Sequence, residues 1–136
     1  MSNKKILIVD DDPDIRHGMH VRLKANHYDT SFAGDAVSCM TEARKQKPDL
    51  IILDLGLPAG DGFVVMERLK EIPALAVIPI IIVSARDIRA NQERALKAGA
   101  TAFLQKPVDD AELLEIIRKI LGEPVKPEER SAAGSV

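Results

Sequence analysis

The chain has 136 residues, enough for one domain whose core needs no disulfide or metal staple. Its 19 basic against 21 acidic residues leave a formal net charge of -2, which removes any case for a nucleic-acid surface or a membrane patch. Lys4 and Lys5 precede only four apolar residues, Ile6 to Val9, too few for a signal peptide or a spanning helix, so a cytoplasmic location is expected.

Five strand-then-helix units can be read along the chain. Lys5 to Val9 is a continuous apolar run, and Asp12-Pro13 starts the first helix with its cap at Asp12 and proline at the first helical position. That helix turns Ile15, Met19 and Leu23 to one face and ends near Asn26. Tyr28 to Ala33 alternates loosely, as suits a strand at a sheet edge. Asp35 caps a second helix with Val37, Met40 and Ala43 inward, ending before Pro48. The single cysteine, Cys39, falls in this helix and is expected to be a buried, reduced thiol.

Leu50 to Leu53 reads as a strand buried on both faces, and Asp54 is the first charge after it. Pro58, Gly60 and Gly62 break the chain into a turn. A third helix then runs from about Asp61 to Glu71, with Met66 and Leu69 inward. Pro79 to Val83 is the fourth strand, and Asp87 can cap a fourth helix whose Ile88, Ala95 and Leu96 face the sheet, with Gly99 as its left-handed stop. Thr101 to Leu104 is the fifth strand. Asp109 with Glu112 forms a capping box for a fifth helix striped by Leu113, Ile116, Ile117 and Ile120 up to Gly122.

Alternating strands and helices require parallel pairing and right-handed crossovers, so the fold expected is a three-layer α/β sandwich. Residues 1–122 make the domain, and 123–136, without apolar periodicity, make a tail or the start of a linker.

The polar residues that end the strands carry the functional signal. The first strand ends in Asp10, Asp11 and Asp12, the third in Asp54, the fourth in Ser84, and the fifth in Lys106 followed by Pro107. In a parallel sheet all of these reach one rim, where ligands of open α/β sheets bind. Capping by Asp12 contributes about 1 kcal/mol, whereas two carboxylates about 5 Å apart at an effective dielectric of about 20 repel by roughly 3 kcal/mol. Such a cluster is poor for stability and is relieved by a hard divalent cation, for which Mg²⁺ fits best. A carboxylate nucleophile, a cation, the Lys106 ammonium and the Ser84 hydroxyl are the parts that phosphoryl transfer needs. On this reading Lys106 pairs with Asp54 in the resting state.

The segments ILIVDDDPDIR, DLGLPAGDG, IIVSAR and FLQKP occur in the order and spacing of the receiver domain of bacterial response regulators, which the chain resembles over about residues 4 to 122. The resemblance implies a flavodoxin-like fold with strand order 2-1-3-4-5, and a phosphoprotein of two-component signal transduction rather than an ordinary enzyme, although one that catalyses its own phosphorylation and dephosphorylation. It implies that Asp54 is the phosphoacceptor. Asp11 becomes the direct acidic ligand of Mg²⁺, Asp10 acts mainly through water, and the Gly56 carbonyl completes the protein's share. Ser84 takes the hydroxyl place, Lys106 the lysine place and Phe103 the switch aromatic place, with a cis Lys106-Pro107 bond. Gly56 and Arg86 occupy the two places that tune the lifetime of the phosphoryl group. The implied partner is a histidine kinase or a histidine phosphotransfer protein. The resemblance leaves open a homodimer through the fourth helix, fifth strand and fifth helix, and implies neither direct nucleic-acid binding nor a membrane.

Other readings fit less well. A phosphohydrolase of the haloacid dehalogenase type would use Asp10 and Asp12 as DxD, but Asp12 is better spent as a cap. A receiver-like module that only docks partners would have no need of the full acid, hydroxyl and lysine set. A nucleotide-binding turn would carry glycines where this chain has three aspartates. His17 and His20 share a helix face but have no third metal ligand at hand.

Overall fold

Strands built almost wholly from Ile, Leu and Val set the architecture. The structure, a computed structural model, describes residues 3–57 and 62–124, apart from the side chain of Ile88. β1 (Lys5–Val9), β2 (Asp29–Ala33), β3 (Leu50–Leu53), β4 (Ile80–Ser84) and β5 (Ala102–Gln105) form one parallel sheet in the order β2-β1-β3-β4-β5. Every residue of β3 and β4 is buried, whereas β2, at the edge, buries only Ala33.

One helical layer is α1 (Pro13–Ala25) with α6 (Asp110–Leu121), which cover Ile6, Ile8, Leu50, Ile52 and Ile81 with Leu23, Leu113, Leu114 and Ile117. The other is α2 (Ala36–Gln46), α3 (Gly62–Glu71), the short α4 (Pro73–Ala76) and α5 (Ile88–Lys97), whose inward residues meet Leu7, Val9, Ile51, Leu53 and Ile82. This is the three-layer sandwich expected. α4 was not foreseen: it is a single turn started by Pro73 after Ile72, which offers no side-chain cap, and one turn is too short to show periodicity. The predicted fourth and fifth helices are therefore α5 and α6.

Caps fall where the short polar residues stand. Asp12 accepts from the backbone N–H of Asp14 and Ile15, Asp87 from Arg89, and Asp109 from Ala111 and Glu112. The reciprocal box is formed by Asp35 and Ser38, whose N–H and hydroxyl hold the Asp35 carboxyl below its ordinary range. α6 ends on Gly122 at φ 72°, a left-handed turn that favours glycine. Gly99 also has a positive φ, 107°.

Two inward assignments are corrected. Val37 is 73% exposed, because α2 buries Ala36, Cys39, Met40 and Ala43 and position 37 lies about 60° outside the edge of that stripe. Leu96 is 45% exposed for the same reason, since Ala95 is the residue of α5 that points at the sheet. The turn at Pro58 and Gly60, the helix start at Asp61, the inward placement of Ile88 and the tail from residue 125 lie outside the described residues. Cys39 is fully buried, and burial first, then the negative charge of Asp35, pushes its thiol up to about 12. Glu123, one residue past the predicted end of the domain, accepts a 2.8 Å hydrogen bond from the Tyr28 hydroxyl, which in turn accepts one from buried Arg118.

Candidate functional site

The sheet ladder continues one residue beyond three strands, and this fixes the rim. Asp10 N–H donates to Ala33 O, Asp54 N–H to Val9 O and Lys106 N–H to Ser84 O, at 3.1, 2.9 and 2.8 Å. Asp10, Asp54 and Lys106 are thereby held at the carboxyl edge with almost no backbone freedom, and Ser84 is the last residue of β4.

Asp10, Asp54 and Ser84 are among the few buried polar residues, at 3, 7 and 1% exposure, while Asp11 stands in solvent. The Lys106 ammonium bridges the two buried carboxylates, 2.8 Å from Asp10 Oδ2 and 3.3 Å from Asp54 Oδ2. The expected Lys106–Asp54 pair is present, but the shorter contact is to Asp10. Burial alone would lower the lysine's pKa, yet the Asp10 hydrogen bond and the charges of Asp54 and Asp10 outweigh it, so the group stays protonated more firmly than a free lysine. The remaining carboxylate oxygens are spoken for by backbone: Asp10 Oδ1 accepts from Asp12 N–H at 2.9 Å, and Asp54 Oδ1 from Gly56 N–H at 3.0 Å.

Among the described residues, Asp10, Asp11 and Asp54 are the group able to hold a metal ion, each offering a carboxylate oxygen within 4.8 Å of the others. Three hard oxygen donors of that kind fit a small divalent cation better than a soft one. Gly56 is exposed, and a Cβ built there would lie 3.6 Å from Asp54 Oδ1, so its lack of a side chain leaves the outer side of that carboxylate uncovered. Ser84 Oγ accepts from Arg86 N–H at 3.0 Å. Phe103, opposite Ile82 in the ladder, is buried in the core on the α2–α5 side of the sheet. The Lys106-Pro107 peptide bond is cis.

Two residues of the site neighbourhood were not given roles from sequence. Arg16, in the first turn of α1, donates to the Asp10 carbonyl at 2.7 Å, and Gly34 leaves room for its guanidinium. Gly62 was read only as a turn breaker. A Cβ there would come within 2.8 Å of the Asp54 carbonyl oxygen and of Leu55 Cα, so the glycine lets α3 start directly against the residue that carries the carboxylate. A glycine-rich segment after a strand end is a signal for such close approach, but it does not say which glycine. Asp12 has its side chain committed to capping α1, which removes the DxD arrangement. His20 Nδ1 lies 2.6 Å from Thr30 Oγ1, with the Phe32 ring edge-on to it at 5.4 Å and the His17 ring tilted at 6.3 Å.

A 2-1-3-4-5 parallel sheet with an acidic pocket at its carboxyl edge defines the flavodoxin-like fold in its receiver form. The model of the response regulator receiver domain matches residues 6–118, and the chain belongs to that family of two-component signalling proteins. It is 35% identical to the response regulator PleD of Caulobacter vibrioides over 116 residues, 85% of this chain and 26% of PleD. It is 37% identical to the KDP operon regulator KdpE of Escherichia coli over 116 residues, 85% of this chain and 50% of KdpE. The chain thus spans about half or less of these relatives. Solved receiver domains match over nearly their whole length. The chemotaxis regulator CheY4 of Vibrio cholerae superposes with a TM-score of 0.80 at 27% identity, over 87% of this chain and 98% of that one. The receiver domain of the sensor histidine kinase PA1611 of Pseudomonas aeruginosa, solved with a magnesium ion coordinated in its active site cleft, gives 0.81 at 27% identity, over 89 and 99%.

Proposed function

We propose that this chain is a phosphoacceptor switch in which Asp54 takes a phosphoryl group from a histidine kinase or histidine phosphotransfer protein, or from acetyl phosphate. An Asp54 carboxylate oxygen attacks phosphorus in line while the bond to the donor's imidazole nitrogen, or to the acetate oxygen, breaks. The carboxylates of Asp10, Asp11 and Asp54 and the Gly56 carbonyl are the groups that would hold Mg²⁺. When bound, the ion supplies neutralisation of the carboxylates and of the incoming phosphoryl oxygens.

The chain's own residues do the rest. Lys106 exchanges its contact with Asp54 for one to a phosphoryl oxygen and keeps Asp10. The Ser84 hydroxyl, now accepting from Arg86 N–H, turns to donate to a second oxygen. Phe103 repacks into the space this opens, and the surface of α5, β5 and α6 changes its partner preference, including a second copy of the chain. Gly56 admits water to the phosphorylated oxygen, whereas Arg86 stands where it can shield the group. The protein catalyses these steps on itself and acts in the cytoplasm.

The observation that carries this reading is the Lys106 ammonium lying between two buried carboxylates at the same rim as Asp11 and Ser84. Intact-mass measurement after incubation with acetyl phosphate and Mg²⁺ tests it. One phosphoryl group is expected on the native chain, and none after chelation or in Asp54→Asn. Undiminished labelling of Asp54→Asn would refute the assignment. Sizing with and without beryllofluoride and Mg²⁺ tests the homodimer.

A further inference from the structure

Two depressions between α2 and the α3–α4 pair, of about 390 and 540 Å³, share Arg44 and Ile72 and so form one continuous groove. The part beside α4 is mainly apolar, through Ile72, Leu75, Val77 and Ile78, and the part between α2 and α3 sets Val37 and Met40 among the polar Thr41, Arg44, Arg68 and Glu71. Val37 is 73% and Val77 81% exposed, the two most exposed large hydrophobic residues in the described structure. Leaving two β-branched side chains in water at the two ends of one groove brings no folding benefit, since neither adds to the core.

The rim has a definite charge. Three cations, Arg44, Lys47 and Arg68, stand on it against one carboxylate, Glu71. None of the three has an ion-pair partner among the described residues. Arg22, Lys97 and Lys119, by contrast, are paired with Asp110, Glu93 and Glu115. Exposed apolar side chains set among unpaired cations select an occupant with apolar anchors flanked by Asp or Glu.

We propose that the α2–α3–α4 groove is a docking site for an acidic amphipathic helix of a partner protein. Its apolar residues at i, i+4 and i+7 lie along Val37, Met40, Ile72 and Val77, and its carboxylates meet Arg44, Lys47 and Arg68. The site shares no residue with the acidic pocket and does not depend on phosphorylation of Asp54.

Methyl NMR titration of the full chain tests this with two synthetic peptides of roughly 18 residues, long enough to hold a helix. Both carry the same leucine stripe; one has glutamate on its flanks and the other lysine. The glutamate peptide is expected to shift the Val37, Met40, Ile72 and Val77 methyls saturably. The lysine peptide, and the glutamate peptide against an Arg44→Glu/Arg68→Glu variant with an unchanged melting temperature, are expected to bind at least tenfold more weakly. The proposal is overturned if the glutamate peptide leaves these methyls unmoved at about 1 mM, if both peptides bind equally, or if the double variant binds as the native chain does. Sedimentation of the protein with phosphatidylglycerol vesicles, lost in the double variant and without a response to the glutamate peptide, overturns it in favour of an anionic lipid surface.

Discussion

Replacing Lys106 with methionine removes the cation from between two buried carboxylates while keeping the volume of an unbranched side chain. At an effective dielectric of about 20, contacts of 2.8 and 3.3 Å correspond to roughly 6 and 5 kcal/mol of gross attraction. Most of this is offset by the several kcal/mol needed to desolvate an ammonium, and the lysine side chain keeps 17% of its exposure, so about 2–3 kcal/mol is expected to be lost in chelator. For a chain of 136 residues that is a fall in melting temperature of roughly 6–15 °C. Millimolar Mg²⁺ should restore part of the loss, because the ion would no longer compete with an ammonium for the Asp10 and Asp54 carboxylates. The variant should bind it about tenfold more tightly, worth about 1.4 kcal/mol, and so gain more from it than the native chain does. Thermal unfolding followed by circular dichroism, in chelator and in Mg²⁺, measures both quantities. An unchanged melting temperature in chelator, or an equal Mg²⁺ gain in the two proteins, would refute the idea that Lys106 stands in for a cation.

Further outcomes can be checked on the same protein. Gly62→Ala drives a methyl against the Asp54 carbonyl and the Leu55 backbone, and should cost about 1–3 kcal/mol in denaturant unfolding and slow acetyl-phosphate labelling of Asp54. Asp12→Ala should lose about 1 kcal/mol of stability yet still be labelled, which separates a capping role from a catalytic one. The Cys39 thiol titrates near 12 in the folded chain against an ordinary value of 9.0, so it is neutral in the folded state wherever the unfolded chain begins to ionise. Its contribution is therefore complete below pH 9.0 and declines by about 1.4 kcal/mol per pH unit between 9.0 and about 12. Urea unfolding across that range should show a fall in stability steeper in the native chain than in Cys39→Ala by that amount.

The sheet was legible because Ile6 to Val9, Leu50 to Leu53 and Pro79 to Val83 can be little else than doubly covered strands. Once they are parallel, Asp10, Asp54, Ser84 and Lys106 must share a rim. Side-chain facing on the helices was less so. Val37 and Leu96 are apolar beside a true inward position, and composition alone cannot separate neighbours a fraction of a turn apart. α4 escaped because one uncapped turn has no period. That Lys106 lies nearer to Asp10 than to Asp54 depends on sub-ångström placement of three chains of atoms, and no pattern in the sequence encodes it. Gly62 shows the same limit, since a missing side chain announces a tight fit without saying against what.

The contact of Glu123 with Tyr28 fixes where the last helix is tied down. Tyr28 stands just before β2, at the sheet's amino end, whereas the acidic pocket opens at its carboxyl end. Glu123 is thus moored a full strand's height, about 17 Å, from the Asp54 carboxylate. The end of α6 is thereby pinned at the opposite end of the sheet from the acidic pocket, so the two can be altered independently.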